Sequence, residues 1–262
     1  MKVVLFCGGL GMRIREAGEA TPKPMVHVGD RPILWHVMRY YAHFGHKDFI
    51  LCLGYRAEVI KNYFINYSEL VSNDFVLQNG GRDVKVFNRD IEDWTITFVD
   101  TGANANIGQR LKAVEKHLAG EEVFLANYSD NLTDFHLPEL IDAFHKQHKT
   151  AAFLCVRPSM SCHHVSLNGG GLVEEIKSLT DANIWINGGY FVFKRSIFDY
   201  IRAGEELVHE PFHRLIAEKQ LMALPYGGFW KSMDTFKEKQ ELDELYSREA
   251  APWQLWKRAG RT

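Results

Sequence analysis

The chain has 262 residues, of which 46% are hydrophobic and 24% are charged, and its formal net charge is -2. This composition indicates a globular protein with a sizeable core, and the lack of a basic excess speaks against a duplex nucleic-acid partner. No apolar run reaches the roughly 18 residues that would span a bilayer, so we expect no membrane partner.

The first residues predict a buried strand followed by a glycine-rich loop. An apolar run ends in Cys7-Gly-Gly-Leu-Gly-Met-Arg13, and Pro22-Lys-Pro-Met25 follows after a polar interval. The loop is neither a dinucleotide fingerprint, because the third glycine is missing, nor a Walker A loop. Glycines let backbone N–H groups approach phosphate oxygens, and Arg13 and Lys23 would neutralise charge. A purely structural turn and a solvated Lys23 are the alternatives, but the pattern favours a phosphate-binding loop.

The elements that follow alternate between helix and strand. We predict a helix over 33–41, a strand over 47–54, a helix over 56–66, short strands around a turn at 79–81, a strand over 94–99, a helix over 108–118, a strand over 122–127, a helix over 137–148 and a strand over 150–156. This alternation predicts a doubly wound α/β sheet. In such sheets ligands bind at the carboxyl ends of the strands, so the loops after residues 99 and 127 are candidate sites.

The last third of the chain has a different texture. Beyond Pro158 we predict shorter strands, one of them over 184–193 and interrupted by Asn187-Gly-Gly189, where glycines suggest close approach of backbone and ligand. Helices over 195–201 and 209–219, a strand ending at Tyr226 and a closing helix to Tyr246 follow. We interpret this part as a smaller, partly antiparallel β extension over a second substrate. No linker interrupts the chain, so we expect one domain, 1–262, with lobes 1–157 and 158–262.

The cysteines indicate neither a metal site nor a disulfide framework. Cys7, Cys52, Cys155 and Cys162 form no Cys-x-x-Cys pair, and three of them lie in apolar runs. We expect buried thiols in a reducing environment. The N-terminal run is that of a core strand rather than a signal peptide, and we therefore expect a cytoplasmic protein.

Two aspartates could hold a hard divalent cation. Asp130 follows the strand over 122–127, and Asp234 lies in a turn rich in Gly, Phe and Trp before the closing helix. Mg²⁺ takes one or two carboxylates plus phosphate oxygens, so the two aspartates form a candidate pair. The alternative is that each is a turn or cap residue, and Asp234 could cap the helix that begins near Thr235.

Several motifs occur in the order found in sugar-1-phosphate nucleotidyltransferases. They are the opening loop, Pro22–Met25, Val99-Asp-Thr-Gly102, Gly108-Gln-Arg-Leu111, Asp130, Asn187-Gly-Gly189 and Phe229-Trp-Lys-Ser-Met-Asp-Thr235. The chain most resembles the glucose-1-phosphate cytidylyltransferase family, and the likeness covers nearly its whole length, including Ala251-Pro-Trp253. The resemblance implies a Rossmann-like mixed sheet of the nucleotide-diphospho-sugar transferase type. It also implies a homo-oligomer in which lobe 1–157 mainly binds the nucleotide and lobe 158–262 mainly binds the acceptor.

The resemblance also implies a reaction. A sugar-1-phosphate oxygen attacks the α-phosphorus of a nucleoside triphosphate, CTP being favoured, and pyrophosphate leaves with Mg²⁺. Two polyanions must meet, and each pair of unit charges about 4 Å apart repels by about 4 kcal/mol at an effective dielectric near 20. Catalysis would therefore consist mainly of charge neutralisation and alignment.

The resemblance assigns roles to particular residues. Arg13 and Lys23 would be catalytic, holding the phosphates and the leaving group, and Asp130 and Asp234 would hold Mg²⁺. The nucleotide would be bound by Phe6, Gly8, Gly9, Leu10, Gly11, Met12, Arg13, Lys23, Thr101, Gly108, Arg110 and Ser129. The acceptor would be bound by Asp130, Asn187, Gly188 and Glu210.

Departures from the family pattern cluster on the acceptor side. The family's Glu-Lys-Pro lysine is missing from Glu175-Ile-Lys-Ser-Leu-Thr-Asp181, and Lys177 is a candidate replacement displaced by about 6 Å along a strand. The family's Gly-Asp-Gly is Ser129-Asp-Asn131, its second glycine before Arg110 is Gln109, and its sugar-pocket segment is Ser161-Cys-His-His-Val165. We hypothesise the same reaction class with an altered phosphorylated acceptor that His163 and His164 would help to bind. The alternative is that both histidines are simply exposed loop residues.

Two other functions remain open on the sequence. The missing lysine would allow a regulatory protein that binds nucleotide without turnover. A nucleotide-sugar-dependent glycosyltransferase could also use a carboxylate after a strand, although the opening glycines with Pro-Lys-Pro speak against it. The choice of cytosine rests on resemblance to one family alone.

Overall fold

The structure is a computed structural model, and it describes residues 1–9, 21–158, 163–179 and 183–258. Its strands are β1 (Val3–Phe6), β2 (His27–Val28), β3 (Arg31–Pro32), β4 (Asp48–Leu53), β5 (Phe75–Gln78), β6 (Asp83–Val86), β7 (Thr95–Asp100), β8 (Val123–Asn127), β9 (Asn131–Thr133), β10 (Ala151–Val156), β11 (His163–Leu167), β12 (Val173–Ser178), β13 (Ile186–Lys194), β14 (Leu221–Tyr226) and β15 (Trp230–Ser232). Its α-helices are α1 (Ile33–His43), α2 (Ala57–Ile65), α3 (Glu69–Ser72), α4 (Ile107–Ala113), α5 (Leu137–Gln147), α6 (Glu210–Ala217), α7 (Phe236–Ser247) and α8 (Leu255–Arg258). Short 3₁₀ turns cover Lys23–Met25, Asn79–Gly81, Glu115–Leu118 and Arg195–Tyr200.

Seven strands form the central sheet, in the order β14-β10-β13-β8-β1-β4-β7. β1 pairs in parallel with β4 and β8, β4 with β7, and β10 with β14, whereas β13 runs antiparallel to both β8 and β10. The predicted α/β sheet with mixed strand directions is confirmed.

The two sides of β1 show how helices cover both faces of the sheet. Successive side chains of a strand point to opposite faces, and all four residues of β1 are buried. Val3 and Leu5 belong to a core layer that includes residues of α1 and α5, while Val4 and Phe6 belong to a second layer that includes residues of α4 and α6. A strand buried on both faces needs a near-continuous apolar run, which is what the sequence shows here.

Part of the last third completes the sheet instead of forming an extension. We expected the strand over 184–193 to lie in the extension, but β13 is inserted between β8 and β10, and β14 forms the edge. The reason is that Gly188–Phe193 is buried without a polar face, a pattern that suits a central strand. The separate β extension is the hairpin of β11 and β12.

Other boundaries differ in detail. The predicted helix over 108–118 is α4 followed by a 3₁₀ turn, and the short strands around 79–81 are β5 and β6. The sequence did not predict the two-stranded sheet of β9 and β15 or the last helix, α8. Among the described residues, no helix is both long and apolar enough to cross a membrane.

The C-terminal segment is anchored on His36 of α1. His36 is fully buried; its Nε2 lies 2.9 Å from the carbonyl oxygen of Val28, and its Nδ1 accepts a hydrogen bond of 3.3 Å from Trp253 Nε1. The Trp253 ring also stacks on Phe229. With Nε2 donating and Nδ1 accepting, the imidazole must be neutral, and burial lowers the pKa of His36 to about 4.

Acid should therefore destabilise the fold through His36. The folded pKa lies below the unfolded value of 6.5, so the unfolded chain binds more protons and stability is lost as pH falls through this window. Between pH 7 and pH 5 this residue should cost about 2 kcal/mol of unfolding free energy. Urea unfolding at both pH values, for the parent and for His36→Gln, measures the difference. An equal pH dependence in the two proteins would contradict the assignment.

Candidate active site

The two aspartates predicted to bind a metal meet at Lys23. Lys23 Nζ lies 2.5 Å from Asp130 Oδ2 and 2.7 Å from Asp234 Oδ1, and the three side chains are 14%, 24% and 39% exposed. Burial acts to lower the pKa of Lys23, but the two carboxylates more than offset this and raise it. Burial raises the pKa of Asp130, and Lys23 opposes that rise. The result is a largely buried ammonium held between two carboxylates that lie far apart in the sequence. We call Lys23, Asp130 and Asp234 together the Lys23 clamp.

Prolines on both sides hold the segment that carries Lys23. Pro22 is in the extended conformation, Pro24 is buried, and the N–H of Met25 donates to the carbonyl of Pro22 at 2.8 Å. Proline restricts both its own backbone and that of the residue before it. The Lys23 ammonium is thereby directed to the edge of the sheet instead of remaining a solvated surface group.

Asp130 is placed by an unusual conformation at Ser129. Ser129 has φ of 66°, in the left-handed region that favours glycine, the residue that the family pattern leads us to expect here. Here the serine is held by two hydrogen bonds: its hydroxyl donates to the carbonyl of Phe6 at 2.8 Å and its N–H to Asn127 Oδ1 at 2.8 Å. The turn after β8 therefore keeps its geometry without the glycine.

Asp234 is not the cap of α7, the alternative that the sequence left open. The N-cap of α7 is Thr235, whose hydroxyl accepts from the N–H of Glu238, while Glu238 accepts from the N–H groups of Asp234 and Thr235. This capping box holds the backbone of Asp234. Its carboxylate is left to contact Lys23.

The residues around Asp130 suit Mg²⁺. Two carboxylates are the usual protein contribution, with phosphate oxygens and water supplying the rest. Asn131, next to Asp130, is buried, and its Oδ1 has no hydrogen-bond partner in the described chain, so a further oxygen is available there. The described residues contain no group of three or more His, Cys, Asp or Glu side chains that could hold a metal. A metal at Asp130 and Asp234 would therefore depend on substrate for its remaining ligands.

The residues assigned to the nucleotide are joined by the guanidinium of Arg110. It donates to Gly8 O at 2.9 Å, Leu53 O at 3.1 Å and Thr101 Oγ1 at 2.7 Å, so it ties together the ends of β1, β4 and β7. Arg110 is only 3% exposed, and burial lowers its pKa. A buried cation thus lies directly beneath the start of the glycine loop, where it supports the backbone.

Of the other residues assigned to the nucleotide, the structure describes Phe6, Gly9 and Gly108 but not those from Leu10 to Arg13. Phe6 is buried at the end of β1, and Gly9 is exposed at the start of the loop. Gly108 is buried in α4, where a Cβ would lie 2.3 Å from the carbonyl oxygen of Glu205, so its smallness is required by packing. Leu10, Gly11, Met12 and Arg13 lie outside the described residues, as do Ser161, Cys162 and Asp181 on the acceptor side.

Gln109, which replaces a family glycine, completes a capping box. Its N–H donates to Asn106 Oδ1 at 2.9 Å, and its own Oε1 accepts from the N–H of Asn106 at 2.9 Å. The side chain therefore stabilises the start of α4. This departure from the family pattern is explained by the helix terminus and does not require a change in ligand.

On the acceptor side, Asn187 and Gly188 lie beside the Asp130 loop. Tyr190 pairs with Asn127, the last residue of β8, so the residues before it extend past the carboxyl end of that strand. Asn187 Nδ2 donates to the Tyr128 hydroxyl at 3.0 Å, and Trp230 Nε1 donates to Gly188 O at 2.8 Å. Both predicted residues are therefore adjacent to the Lys23 site.

The second glycine of this motif is required by crowding. Gly189 has φ of 77°, and a Cβ there would lie 2.6 Å from Asn131 Nδ2 and 2.7 Å from the Tyr128 ring. The close approach that we expected between backbone and ligand is thus, at this position, an approach between parts of the protein. Its effect is to bring β13 against the residue that follows Asp130.

Three predicted acceptor residues are not joined to this site. Lys177 lies in the β11–β12 hairpin and forms an ion pair of 2.9 Å with Glu175. His163 is exposed on the same hairpin, opposite Ser178, and Glu210 is exposed at the start of α6. Within the described part of the chain, no hydrogen bond or ion pair connects any of them to Asp130 or Asn187.

Sequence reasoning missed Tyr128, which lies beside the site, and Glu206, whose charge acts on it. Burial raises the pKa of the Tyr128 phenol, and the negative charge of Glu206 adds to that rise. Glu206 also accepts from the N–H of Ile107 at 3.2 Å. The Tyr-Ser-Asp order could have identified Tyr128, whereas Glu206 carries no local sequence signal.

Comparison with known proteins agrees with this geometry. Residues 2–231 match the family model described as nucleotidyl transferase. The glucose-1-phosphate cytidylyltransferases of Salmonella typhimurium and Salmonella typhi are each 37% identical over 258 residues, which cover 98% of this chain and 100% of theirs. The chain belongs to the nucleotidyl transferase family. The resemblance predicted from the motifs is confirmed, and with it the assignment to the nucleotidyltransferase enzymes.

Solved structures share the fold. UDP-glucose pyrophosphorylase in complex with UDP-glucose has a TM-score of 0.68 at 15% identity, covering 95% of this chain and 98% of that one. HddC from Yersinia pseudotuberculosis has a TM-score of 0.65 at 17% identity, covering 94% and 99%. At these identities the comparison concerns the fold alone, and it confirms the Rossmann-like class.

The two glycines that open the loop should respond differently to substitution. A Cβ at Gly8 would lie 2.0 Å from Arg110 Nη1, whereas a Cβ at Gly9 meets no described atom within 4 Å. We expect Gly8→Ala to lose about 1–3 kcal/mol of unfolding free energy through overpacking and Gly9→Ala to stay within about 0.5 kcal/mol of the parent. Urea unfolding followed by tryptophan fluorescence measures both. Equal stability of the two variants would show that Arg110 does not occupy this position.

Proposed function

We propose that this nucleotidyltransferase transfers a nucleotidyl group, CMP from CTP, to a sugar 1-phosphate or a similar phosphorylated acceptor. The observation that carries the proposal is the contact of Lys23 with both Asp130 and Asp234 at the carboxyl edge of the sheet, beside the glycine loop. CTP as donor and a sugar 1-phosphate as acceptor are taken from the Salmonella relatives. We further propose a homo-oligomer, again from the family resemblance. The buried free thiols of Cys7 and Cys52 fit the reducing cytoplasm.

The reaction forms one P–O bond and breaks another. An acceptor phosphate oxygen bonds to the α-phosphorus, the bond from the α-phosphorus to the bridging oxygen breaks, and pyrophosphate leaves with that electron pair. Lys23 would neutralise charge on the phosphoryl group as it is transferred, which is worth most in a partly desolvated site. The loop over Gly8 and Gly9, braced by Arg110, would offer backbone N–H groups to the triphosphate.

Mg²⁺ would be held by Asp130 and Asp234, where it would neutralise phosphate charge and stabilise the leaving pyrophosphate. Both carboxylates contact Lys23, so the side chain that would neutralise phosphate also neutralises them. A nucleotide that brings the metal must compete with Lys23 for the carboxylates. This predicts ordered binding in which the metal enters with the triphosphate.

The acceptor is proposed to differ from glucose 1-phosphate. The family's acceptor lysine is missing, and Lys177 is paired with Glu175 on the separate hairpin. Asn187 and Tyr128, which are joined to each other, remain as polar groups for the acceptor next to Asp130. Neither side chain is a cation. This favours an acceptor whose phosphate needs no ion pair with the protein here, or one with more hydroxyl groups for hydrogen bonds.

The test is pyrophosphate release. Purified protein with Mg²⁺ is given CTP, UTP, GTP, ATP or dTTP, each with a panel of sugar 1-phosphates, and release is followed with a coupled assay. We expect release with CTP and at least one acceptor, and a lower rate with glucose 1-phosphate than with the preferred acceptor. Release with another triphosphate alone would overturn the choice of base.

A regulatory role is the second candidate, because the family's Glu-Lys-Pro lysine is missing from the sequence and Lys177, its candidate replacement, is paired with Glu175. Nucleotide binding measured by calorimetry separates the two functions. Binding of CTP with Mg²⁺, combined with no pyrophosphate release for any acceptor in the panel, would replace the enzymatic proposal by the regulatory one.

A further inference from the structure

A cavity of about 330 Å³ lies away from the Lys23 site, where α1, the end of α7 and α8 meet the segments around residues 72 and 90. This volume falls within the range of small-molecule sites, about 300–1,000 Å³. None of the residues assigned above to phosphate, metal or acceptor lines it. The proposed reaction leaves this cavity unexplained.

Three cations, Arg31, Arg39 and Lys257, and two carboxylates, Asp30 and Asp90, line the cavity, so its charges sum to a net positive. Asp90 Oδ2 is neutralised by Arg31 at 3.2 Å and accepts from the Tyr67 hydroxyl at 2.7 Å, and Asp30 accepts from the Tyr246 hydroxyl. Arg39 donates only to the backbone oxygen of Asp90, and Lys257 lies over the Tyr246 ring at 5.5 Å. Neither forms an ion pair with any described residue, and both line the cavity.

Four of the thirteen residues that line the cavity are aromatic: Trp35, His36, Tyr246 and Trp256. Trp35 and Trp256 pack edge to face with their ring centroids 5.9 Å apart, and His36 lies against Trp256. Trp35 is 6% exposed, and its Nε1 is a buried donor with no partner in the described chain. An unpartnered buried N–H costs free energy and is normally satisfied by a partner. Aromatic faces of this kind accept planar rings by stacking or edge contact.

From these observations we infer a second ligand site that takes a small organic anion with a planar ring. The ring would lie against Trp35 and Trp256, and the anionic group would be bound by Arg39 and Lys257. An arginine with unused donors and a lysine are a pair that suits a phosphate or a carboxylate. The cavity is about the size of a fused ring that bears one phosphate group.

The second site is distinct from the Lys23 site but is connected to it by two elements. α7 begins two residues after Asp234, spans 12 residues and carries Tyr246 near its end, which corresponds to a length of ~18 Å. The segment from Lys23 to Arg31 passes through Val28, whose carbonyl contacts His36 at the cavity wall. Because the cavity shares no residue with the Lys23 site, its occupation can be measured without running the proposed reaction.

The test uses 1-naphthyl phosphate as the probe, with 1-naphthol and inorganic phosphate as the ring-only and anion-only controls. Isothermal titration is performed on the full chain without nucleotide. We expect one saturable site for 1-naphthyl phosphate and at least tenfold weaker binding of each control. Arg39→Gln and Lys257→Gln should each weaken the probe by about tenfold, or about 1.4 kcal/mol.

Matched variants show where the probe binds. Arg248→Gln removes an exposed cation at the end of α7 that is paired with Glu244 and should leave the affinity unchanged. Lys23→Met should also leave it unchanged, whereas a loss in that variant would place the probe in the phosphate site and overturn the proposal. So would the absence of saturable binding, or parent-like affinity in Lys257→Gln, which alters an exposed side chain.

Discussion

Replacing Lys23 with methionine should lower the rate of pyrophosphate release by about 10²–10³-fold, the usual cost of removing one charge-stabilising donor from an active site. Methionine keeps the length and most of the packing of the side chain but removes the positive charge. Without it, Asp130 and Asp234 face the incoming phosphates with no protein cation between them. Initial rates with CTP, Mg²⁺ and the preferred acceptor measure the effect.

Lys231 provides the control for this experiment. Its side chain is 15% exposed, against 14% for Lys23, and it is also ion-paired, with Glu241. Lys231→Met therefore removes an equally buried and paired lysine at a position to which no role in the reaction is assigned. Its rate should stay within a few-fold of the parent. Equal losses in the two variants, or a nearly unchanged rate in Lys23→Met, would show that the clamp is not the catalytic centre.

The alternation of the elements could be predicted because each strand of the nucleotide half is an apolar run that ends in a polar or glycine residue. The position of β13 could not, because strand order is decided by pairing between distant segments. An apolar run such as Gly188–Phe193 is compatible with an edge or with the centre of a sheet until its partners are known. Here the partners are β8 and β10, which precede it by about 30 to 60 residues.

The residues of the Lys23 clamp could be predicted from the sequence, but the contacts between them could not. Lys23, Asp130 and Asp234 each stood out from local context, yet their meeting depends on segments 107 and 211 residues apart. Arg110 shows the opposite case. Its motif indicated a residue that borders the nucleotide's base. In the structure its buried guanidinium bonds to the ends of three strands. It also leaves no room for a Cβ at Gly8.

The acceptor side was the least predictable part. Lys177 and His163 were chosen for their residue type within a strand-like segment, but their hairpin pairs only with itself in the described sheets. Asn187 lies beside the Asp130 loop because it belongs to a strand of the central sheet. Strand pairing fixes the position of residues on the central sheet, whereas the position of a separate hairpin is not fixed in this way, so sequence could not predict where Lys177 and His163 lie.

The Lys23 clamp should also show strong energetic coupling in the protein without substrate. Lys23→Met leaves Asp130, with its side chain 24% exposed, as a largely buried carboxylate with no cation. Breaking a buried pair on one side costs about 3–5 kcal/mol, and partial exposure reduces this to roughly 2 kcal/mol here. Asp130→Asn should lower the free energy of unfolding by less, because Lys23 keeps its ion pair with Asp234. The double variant should lose less than the sum of the two single losses, which corresponds to a coupling free energy of about 1–2 kcal/mol between Lys23 and Asp130.

The pH dependence of this cycle provides the sharpest test. Burial already raises the pKa of Asp130, and Lys23 opposes that rise, so removing Lys23 should raise the pKa further. The folded Lys23→Met variant then binds a proton that the unfolded chain releases, and its stability should fall as pH rises through the raised pKa. Its loss relative to the parent should therefore be smaller at pH 5 than at pH 8, and Lys23→Met/Asp130→Asn should show no such difference. Urea unfolding in chelated, metal-free buffer at both pH values measures this, and additive losses within about 0.5 kcal/mol would show that the two side chains are not coupled.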